Sequence, residues 1–93
     1  MESPITGIVI IKTENFGSKS EADYAYLQTS DGKRYRMYRP EMNDANDEFF
    51  LPFSNKKVAI VGEVEEKNYI AVSKIQILNN VEIIEEDKNE KIL

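Results

Sequence analysis

The chain has 93 residues and a formal net charge of −5, and it contains no histidine and no cysteine. A chain of this length forms one small domain around a single core. The missing residue types exclude disulfide bonds and thiolate metal sites, and they remove the commonest general base and metal ligand. We therefore expect no catalytic site, no cofactor and no metal site. The composition favours a binding module over an enzyme.

The N-terminus shows no sign of export or membrane insertion. The opening sequence MESPITGIVIIK lacks the basic region and the long apolar run of a signal peptide. Its apolar stretch, at residues 8–11, is far shorter than the ~20 residues that span a bilayer. The expected location is cytoplasmic, with no membrane partner.

Five stretches have the composition and alternation of β-strands. The first is rich in β-branched residues and contains Gly7, and a glycine inside a strand often marks a bulge or a sharp bend. The predicted fold class is all-β, a small five-stranded barrel formed by residues 1–78 as a single domain. The five predicted strands are residues 5–12, 24–29, 33–39, 57–65 and 69–78.

The second and third strands are joined by Ser30-Asp31-Gly32, a three-residue link with glycine last. Such a link fits a type I turn closed by a left-handed bulge residue, which places Thr29 opposite Lys33. This register turns Ala25, Leu27, Tyr35 and Met37 to one face, the expected core side. A two-residue Asp31-Gly32 turn would instead shift the pairing by one residue and flip one strand relative to the other.

The segment between the third and fourth strands is acidic and then aromatic. Residues 40–55 carry Glu41, Asp44, Asp47 and Glu48, followed by the sequence FFLPF. The segment is too short for a long helix and too apolar at its end to stay in solvent. We expect an irregular or briefly helical connector whose aromatic end plugs the barrel or packs against a sheet edge.

In the fourth and fifth strands, every second residue is apolar and is expected to point into the core. This pattern shifts by one residue once, in the fifth strand. Ile70 and Val72 alternate inward and Ile75 and Ile77 continue with shifted parity, which predicts a bulge near Ser73 and Lys74. In the fourth strand the predicted inward residues are Val58, Ile60 and Val64. Residues 79–93 are expected to form an acidic tail or a short helix, with an added sixth strand as the alternative.

The strand pattern resembles the oligonucleotide/oligosaccharide-binding (OB) fold. The second half, KKVAIVGEVEEKNYIAVSKIQIL, is similar to the closing hairpin of many such domains, and the opening ITGIV and the hairpin YLQTSDGKRYRM extend the resemblance over residues 5–78. Another small barrel, such as an SH3-like one, is the alternative. The positions that carry the closing-hairpin pattern are Val58, Ile60, Gly62, Ile70, Val72 and Ile75.

The resemblance implies a ligand face on strands two and three, bordered by neighbouring loops. The arginines and lysine there would contact phosphates, and the tyrosines would stack on bases. The competing interpretation is structural: tyrosines and arginines stabilise a sheet by cross-strand packing, and Asp23 and Glu41 are near enough to pair the arginines. The candidate site residues are Tyr24, Tyr26, Lys33, Arg34, Arg36, Tyr38 and Arg39.

Two functional hypotheses follow from this face. The first is binding of single-stranded nucleic acid, DNA or RNA, with phosphate contacts from the cations and stacking on the tyrosines. The second is a protein-interaction or adaptor module, with homo-oligomerisation as one form of it. The resemblance to the OB fold favours the first hypothesis slightly, and nucleic-acid binding is the leading prediction. The acidic balance of the chain favours the second hypothesis, because an acidic body repels nucleic acid beyond a local basic patch.

Overall fold

A computed structural model describes residues 3–78 of the chain. Five strands dominate it, which confirms the predicted all-β class and the predicted number and order of strands. Two short 3-10 helices, η1 and η2, connect them, and neither helix among residues 3–78 is long and apolar enough to cross a membrane. The elements are β1 (Ile5–Glu14), β2 (Ala22–Gln28), β3 (Arg34–Tyr38), η1 (Glu48–Phe53), β4 (Lys57–Glu65), η2 (Glu66–Asn68) and β5 (Tyr69–Ile77).

The strands pair in the order β1-β2-β3-β5-β4, and β4 pairs back with β1, so that the sheet closes into a ring. All neighbours are antiparallel except β3 and β5, which are parallel. The long strand β1 serves two neighbours, because its first half pairs with β4 and its second half with β2. Gly7 lies at this crossing, where a Cβ would come within 2.5 Å of the carbonyl oxygen of Gln28. Only glycine allows such a close approach of two backbones.

The inside of the ring is filled by apolar side chains from every strand and from η1. The largest is Phe50 of η1, which is 1% exposed. It brings the aromatic end of the connector into the core, as the sequence predicted. The other buried members of this cluster are Val9, Ala25, Leu27, Met37, Val58, Ile60, Ile70 and Val72.

The β2–β3 hairpin has the predicted three-residue register. Ala25 is opposite Met37 and Leu27 is opposite Tyr35, and the Thr29 N–H donates to the carbonyl of Lys33 at 2.9 Å. Gly32 has a φ of +90°, a left-handed conformation that glycine adopts without steric cost. The turn chemistry therefore set the register as expected.

The β4–β5 hairpin contains the predicted bulge. Val61 pairs with Lys74 while Gly62 pairs with Val72, which leaves Ser73 as the extra residue on β5. One prediction for this hairpin is wrong: Val64 is 49% exposed and not part of the core. The pairing of β1 with β4 stops at Ile60, so beyond that residue β4 has only β5 beside it.

The connector folds back onto β1 and β2 through backbone hydrogen bonds. The Asn46 N–H donates to the Asp23 carbonyl at 2.8 Å, and the Asn55 N–H donates to the Val9 carbonyl at 2.7 Å. Asp47 caps η1 by accepting from the Phe49 N–H at 3.1 Å. The acidic residues of the connector are thereby held close to the strands that carry the candidate site. The predicted tail, helix or sixth strand at residues 79–93 lies outside the described residues.

Candidate functional site

The candidate site residues of β2 and β3 lie on the outer side of the sheet, as the register predicted. Their neighbours in sequence, Leu27 and Met37, point into the core, so the alternating residues point away from it. Strand β5 adds Tyr69, which pairs with Arg36 across the parallel β3–β5 joint. We call this surface the tyrosine–arginine face, and it consists of Tyr24, Tyr26, Arg34, Arg36, Tyr38 and Tyr69.

Arg36 is the centre of this face. Its guanidinium carbon lies 3.5 Å from the ring centroid of Tyr24 and 5.6 Å from that of Tyr69, and Nη1 donates to the Tyr69 hydroxyl at 3.3 Å. Its Nε is 3.2 Å from a carboxylate oxygen of Asp44. That Nε is buried and makes no hydrogen bond within residues 3–78, so the contact with Asp44 is an ion pair by distance without hydrogen-bond alignment. The cation is thus held between aromatic rings and one carboxylate.

Arg39 lies just past the end of β3 and belongs to the connector. Its Nε and Nη2 donate to the two carboxylate oxygens of Asp47 at 2.9 and 2.8 Å, a bidentate pair. Its guanidinium also lies 4.5 Å from the ring centroid of Phe49. Hydrogen bonding to Arg39 lowers the pKa of the Asp47 carboxyl below its usual value. Both groups of this pair are therefore occupied in holding η1 in place.

The tyrosine hydroxyls of the face also have acidic partners. Tyr26 donates to the Glu14 carboxylate, and burial together with this bond raises the pKa of Tyr26 to about 12. Tyr38 donates to Glu65 at 2.8 Å, which raises its pKa as well. The rings of Tyr38 and Tyr69 meet edge to face with centroids 6.3 Å apart. Both hydroxyls are hydrogen-bond donors at neutral pH, with their orientation fixed by carboxylates.

Two cations of the candidate site, Arg34 and Lys33, differ from Arg36 and Arg39 in the partners that they contact. Arg34 donates from Nε to the side-chain oxygen of Gln28 at 3.0 Å, and its guanidinium is 6.0 Å from the Tyr26 ring centroid. Lys33 is exposed at the start of the strand. Among residues 3–78, neither cation has a carboxylate within ion-pair distance. This end of the hairpin therefore carries positive charge without a carboxylate partner in the described chain.

The acids that pair the arginines are different from those expected. Asp23 accepts a hydrogen bond from the Thr13 hydroxyl, and Glu41 forms no ion pair within the described range. The partners are Asp44 and Asp47 instead. The two pairs, Arg36 with Asp44 and Arg39 with Asp47, share a spacing of eight residues. The spacing alone does not identify the pairs, since Lys33 and Glu41 are also eight residues apart and form no ion pair within residues 3–78.

Two concave regions border the face. A shallow one of about 330 Å³ is lined by Tyr38, Met42, Asp44, Glu65 and Tyr69, and Met42 is 51% exposed. A second, of about 360 Å³, lies on the other side of Tyr24, where η1 faces β1 and β2. No group of three or more metal-ligating side chains occurs within residues 3–78. The chemistry available at the face is thus aromatic contact, hydrogen bonding and local charge pairing.

Comparisons with protein-family models, with curated proteins and with solved structures found no match to this chain. The candidate function is therefore derived from the geometry of the tyrosine–arginine face alone. Two features of that geometry matter most: the ordered aromatic rings, and the pairing of the central cation, Arg36, with Asp44.

Proposed function

We propose that the chain is an OB-like barrel that binds a protein partner through the tyrosine–arginine face. The ring order β1-β2-β3-β5-β4 supports the OB-like assignment, since OB folds are five-stranded barrels whose ligand face lies on the second and third strands. The division of β1 between β2 and β4, which closes the ring of strands, is consistent with this assignment.

The observation that carries the proposal is the pairing of the arginine at the centre of the face, and of its neighbour Arg39, with carboxylates. Arg36 is matched by Asp44 and Arg39 by Asp47, and two further carboxylates hold the hydroxyls of Tyr26 and Tyr38. Affinity for nucleic acid depends on cations that neutralise phosphates. Arginines already paired with carboxylates supply little of that attraction, and the net charge of −5 opposes it further.

The same residues suit a protein interface. Tyrosine and arginine are, with tryptophan, the residue types enriched among those that dominate binding energy. Tyrosine offers a large contact area with few rotatable bonds. The rings here are already fixed by stacking on Arg36 and by hydrogen bonds to carboxylates, so little side-chain entropy is lost on binding. The exposed Met42 beside Tyr38 and Tyr69 extends the face with an adaptable apolar side chain.

The test is partner capture by the whole chain, with the wild type compared with Arg36→Glu. The charge reversal removes the cation that orders Tyr24 and Tyr69, so we expect the captured partner to be lost. Lys74→Glu is the matched control, because Lys74 is an exposed residue of β5 outside the face. Circular dichroism establishes that each variant is folded. A partner retained by folded Arg36→Glu, or lost equally by folded Lys74→Glu, would overturn the proposal.

Binding of single-stranded nucleic acid is a second candidate, favoured by one observation. Lys33 and Arg34 have no acidic partner within residues 3–78, and Arg34 lies near the ring of Tyr26. Two cations and one stacking ring are a minimal footprint for a strand of nucleic acid.

Salt dependence separates the two functions quantitatively. If only Lys33 and Arg34 contact phosphates, the slope of log affinity against log salt for oligothymidine is about −1.4, since each phosphate contributes about −0.7. The double variant Lys33→Glu with Arg34→Glu should then abolish the change in tyrosine fluorescence. No fluorescence change for the wild type at low salt would rule this candidate out.

A further inference from the structure

Where β3, β5 and the connector meet, the tyrosine–arginine face borders an open cleft of about 330 Å³. Its aromatic walls are Tyr38 and Tyr69, whose rings meet edge to face at an angle of 71° with their centroids 6.3 Å apart. The exposed Met42 adds an apolar wall, and Asp44 and Glu65 add two carboxylates. We call this region the acidic cleft.

Each carboxylate of the acidic cleft uses only one of its oxygens within the described chain. Oδ2 of Asp44 lies 3.2 Å from Nε of Arg36, and Oε1 of Glu65 accepts from the Tyr38 hydroxyl at 2.8 Å. No donor among residues 3–78 forms a hydrogen bond to Oδ1 of Asp44 or to Oε2 of Glu65. An ionised carboxylate accepts up to about four hydrogen bonds. Both acids can therefore bind a further donor without giving up their present contacts.

The surroundings of Tyr38 carry more negative than positive charge. The hydrogen bond to Glu65 and burial raise the pKa of the Tyr38 hydroxyl, and the charges of Glu65, Glu63 and Asp44 raise it further. Arg36 compensates one of these carboxylates, Asp44. Neither Glu63 nor Glu65 forms an ion pair with any residue in the range 3–78. The net charge around the cleft is therefore negative and favours a cation.

The ring of Tyr38 differs from the other tyrosine rings of the face. Each of the other rings has an arginine guanidinium within 6.0 Å of its centroid, and these rings belong to Tyr24, Tyr26 and Tyr69. In the described part of the chain, no cation lies over the ring of Tyr38. An aromatic ring attracts a cation to its face, and nearby carboxylates strengthen that attraction.

We propose that the acidic cleft receives a lysine or arginine side chain of the protein partner. The cation binds the free oxygens of Asp44 and Glu65 beside the Tyr38 ring. The aliphatic stem of the side chain packs on Met42, which is 51% exposed. The inference rests on the proposed function, because it names the chemistry of the partner residue that binds at one edge of the same face.

The test is a titration of the nitrogen-labelled full chain with a short capped peptide of glycine and serine that has one central lysine. The same peptide with arginine is the second probe, and the same peptide with glutamine is the uncharged control. We expect saturable shifts of the amide signals of Tyr38, Asp44, Glu65 and Tyr69 with at least one cationic peptide and none with the control. Salt at about 1 M, where the Debye length is ~3 Å, should abolish them.

Variants of the chain assign the binding to the cleft. Glu65→Gln and Asp44→Asn should each weaken binding of the cationic peptide by about two- to five-fold, as expected for a partly exposed ion pair. Glutamine at position 65 keeps an acceptor for the Tyr38 hydroxyl, so the ring retains its partner. Glu66→Gln is the matched control, since Glu66 is exposed and does not line the cleft. An equal loss of binding for Glu66→Gln, or no shift with either cationic peptide, would overturn the inference.

Partner capture separates a failure of this inference from a failure of the proposed function. If Arg36→Glu loses the partner and the folded double variant Asp44→Asn with Glu65→Gln retains it, the inference is overturned and the proposed function stands. If the cationic peptides bind at the cleft and folded Arg36→Glu retains the partner, the cleft is supported as a cation site and the proposed function is overturned. Loss of the partner by both variants supports both proposals.

Discussion

A carboxylate oxygen of Asp44 lies 3.2 Å from Nε of Arg36 and joins the acidic connector to the centre of the tyrosine–arginine face. The contact fixes the guanidinium over Tyr24 and beside Tyr69. Both partners are partly exposed, so solvent screens the attraction. The pair therefore orders the face more than it stabilises the fold.

The variant Asp44→Asn should weaken the fold only slightly. A partly exposed ion pair contributes about 0–1 kcal/mol, so we expect a loss of that order in urea unfolding, with an unchanged m-value. Glu41→Gln, which neutralises an acid without an ion pair in the described chain, should leave stability unchanged. A loss above about 2 kcal/mol for Asp44→Asn would show that the pair has a larger structural role than its exposure indicates.

Asp47 should matter more than Asp44, because its side chain is 6% exposed and serves two partners. It caps η1 through the Phe49 N–H and binds Arg39 in bidentate fashion. Asp47→Ala removes the cap, which alone costs about 1 kcal/mol, in addition to the pair. Asp47→Asn retains a capping oxygen and should lose less. Equal losses of stability for Asp47→Ala and Asp47→Asn in thermal unfolding would show that the capping oxygen contributes nothing of its own.

The paired carboxylate of Asp47 should also make the stability of the fold depend on pH in the acidic range. Its folded pKa lies below the ordinary value of 3.8, so the paired carboxylate contributes stability above that value, and the contribution is lost as pH falls through the folded pKa. The difference in unfolding free energy between wild type and Asp47→Asn should therefore shrink from neutral pH to strongly acidic pH. A difference that stays constant over this range would count against a role for the ionised carboxylate.

Because of Tyr26, the stability of the fold should also depend on pH in the alkaline range, with the opposite sign. Its folded pKa of about 12 lies above its ordinary value of 10.0, so its contribution is complete below pH 10 and is lost as pH rises toward 12. Ultraviolet titration of the folded chain should show one tyrosine that ionises last. Tyr26→Phe should remove that late step and leave the others. A late step that persists in the variant would assign it to another tyrosine.

Among these variants, truncation of Phe50 to alanine should cause the largest loss of stability. It is 1% exposed within the ring, and truncation of a buried phenylalanine to alanine costs about 3–5 kcal/mol because it leaves a cavity. Phe16 is 84% exposed and provides the matched control, for which the same change should lie within about 0.5 kcal/mol of the wild type. Similar unfolding midpoints for the two variants would show that η1 does not contribute to the core.

Local rules in the sequence predicted much of the fold. The Ser30-Asp31-Gly32 turn fixed the hairpin register, and the change of parity in β5 located the bulge at Ser73. Both features depend on residues close together in the chain, where turn chemistry and alternation are informative. Val64 was misassigned because alternation gives the direction of a side chain and not whether another strand covers it.

The site was predicted less completely, because its contacts are non-local. Tyr69 joins the face only through the parallel pairing of β5 with β3, which no hairpin pattern encodes. The pairing of Arg36 and Arg39 with Asp44 and Asp47 depends on the path of the connector over β2. That path is fixed by backbone hydrogen bonds from Asn46 and Asn55, and composition does not reveal them.

The joint between β3 and β5 has consequences for how the molecule assembles. It consists of three residue pairs, whereas β4 and β5 share eight and β1 and β2 share seven. The first three strands can form as a local meander and the last two as a separate hairpin, and only this joint and the β1–β4 contact then unite them. Loop-closure entropy makes such distant pairings form late and makes a short one the first to open. Transient opening there would separate Tyr69 from Arg36 and, with them, the core residues Ile70 and Met37. The amides of β3 and β5 at this contact should therefore exchange hydrogen faster than those between β1 and β2.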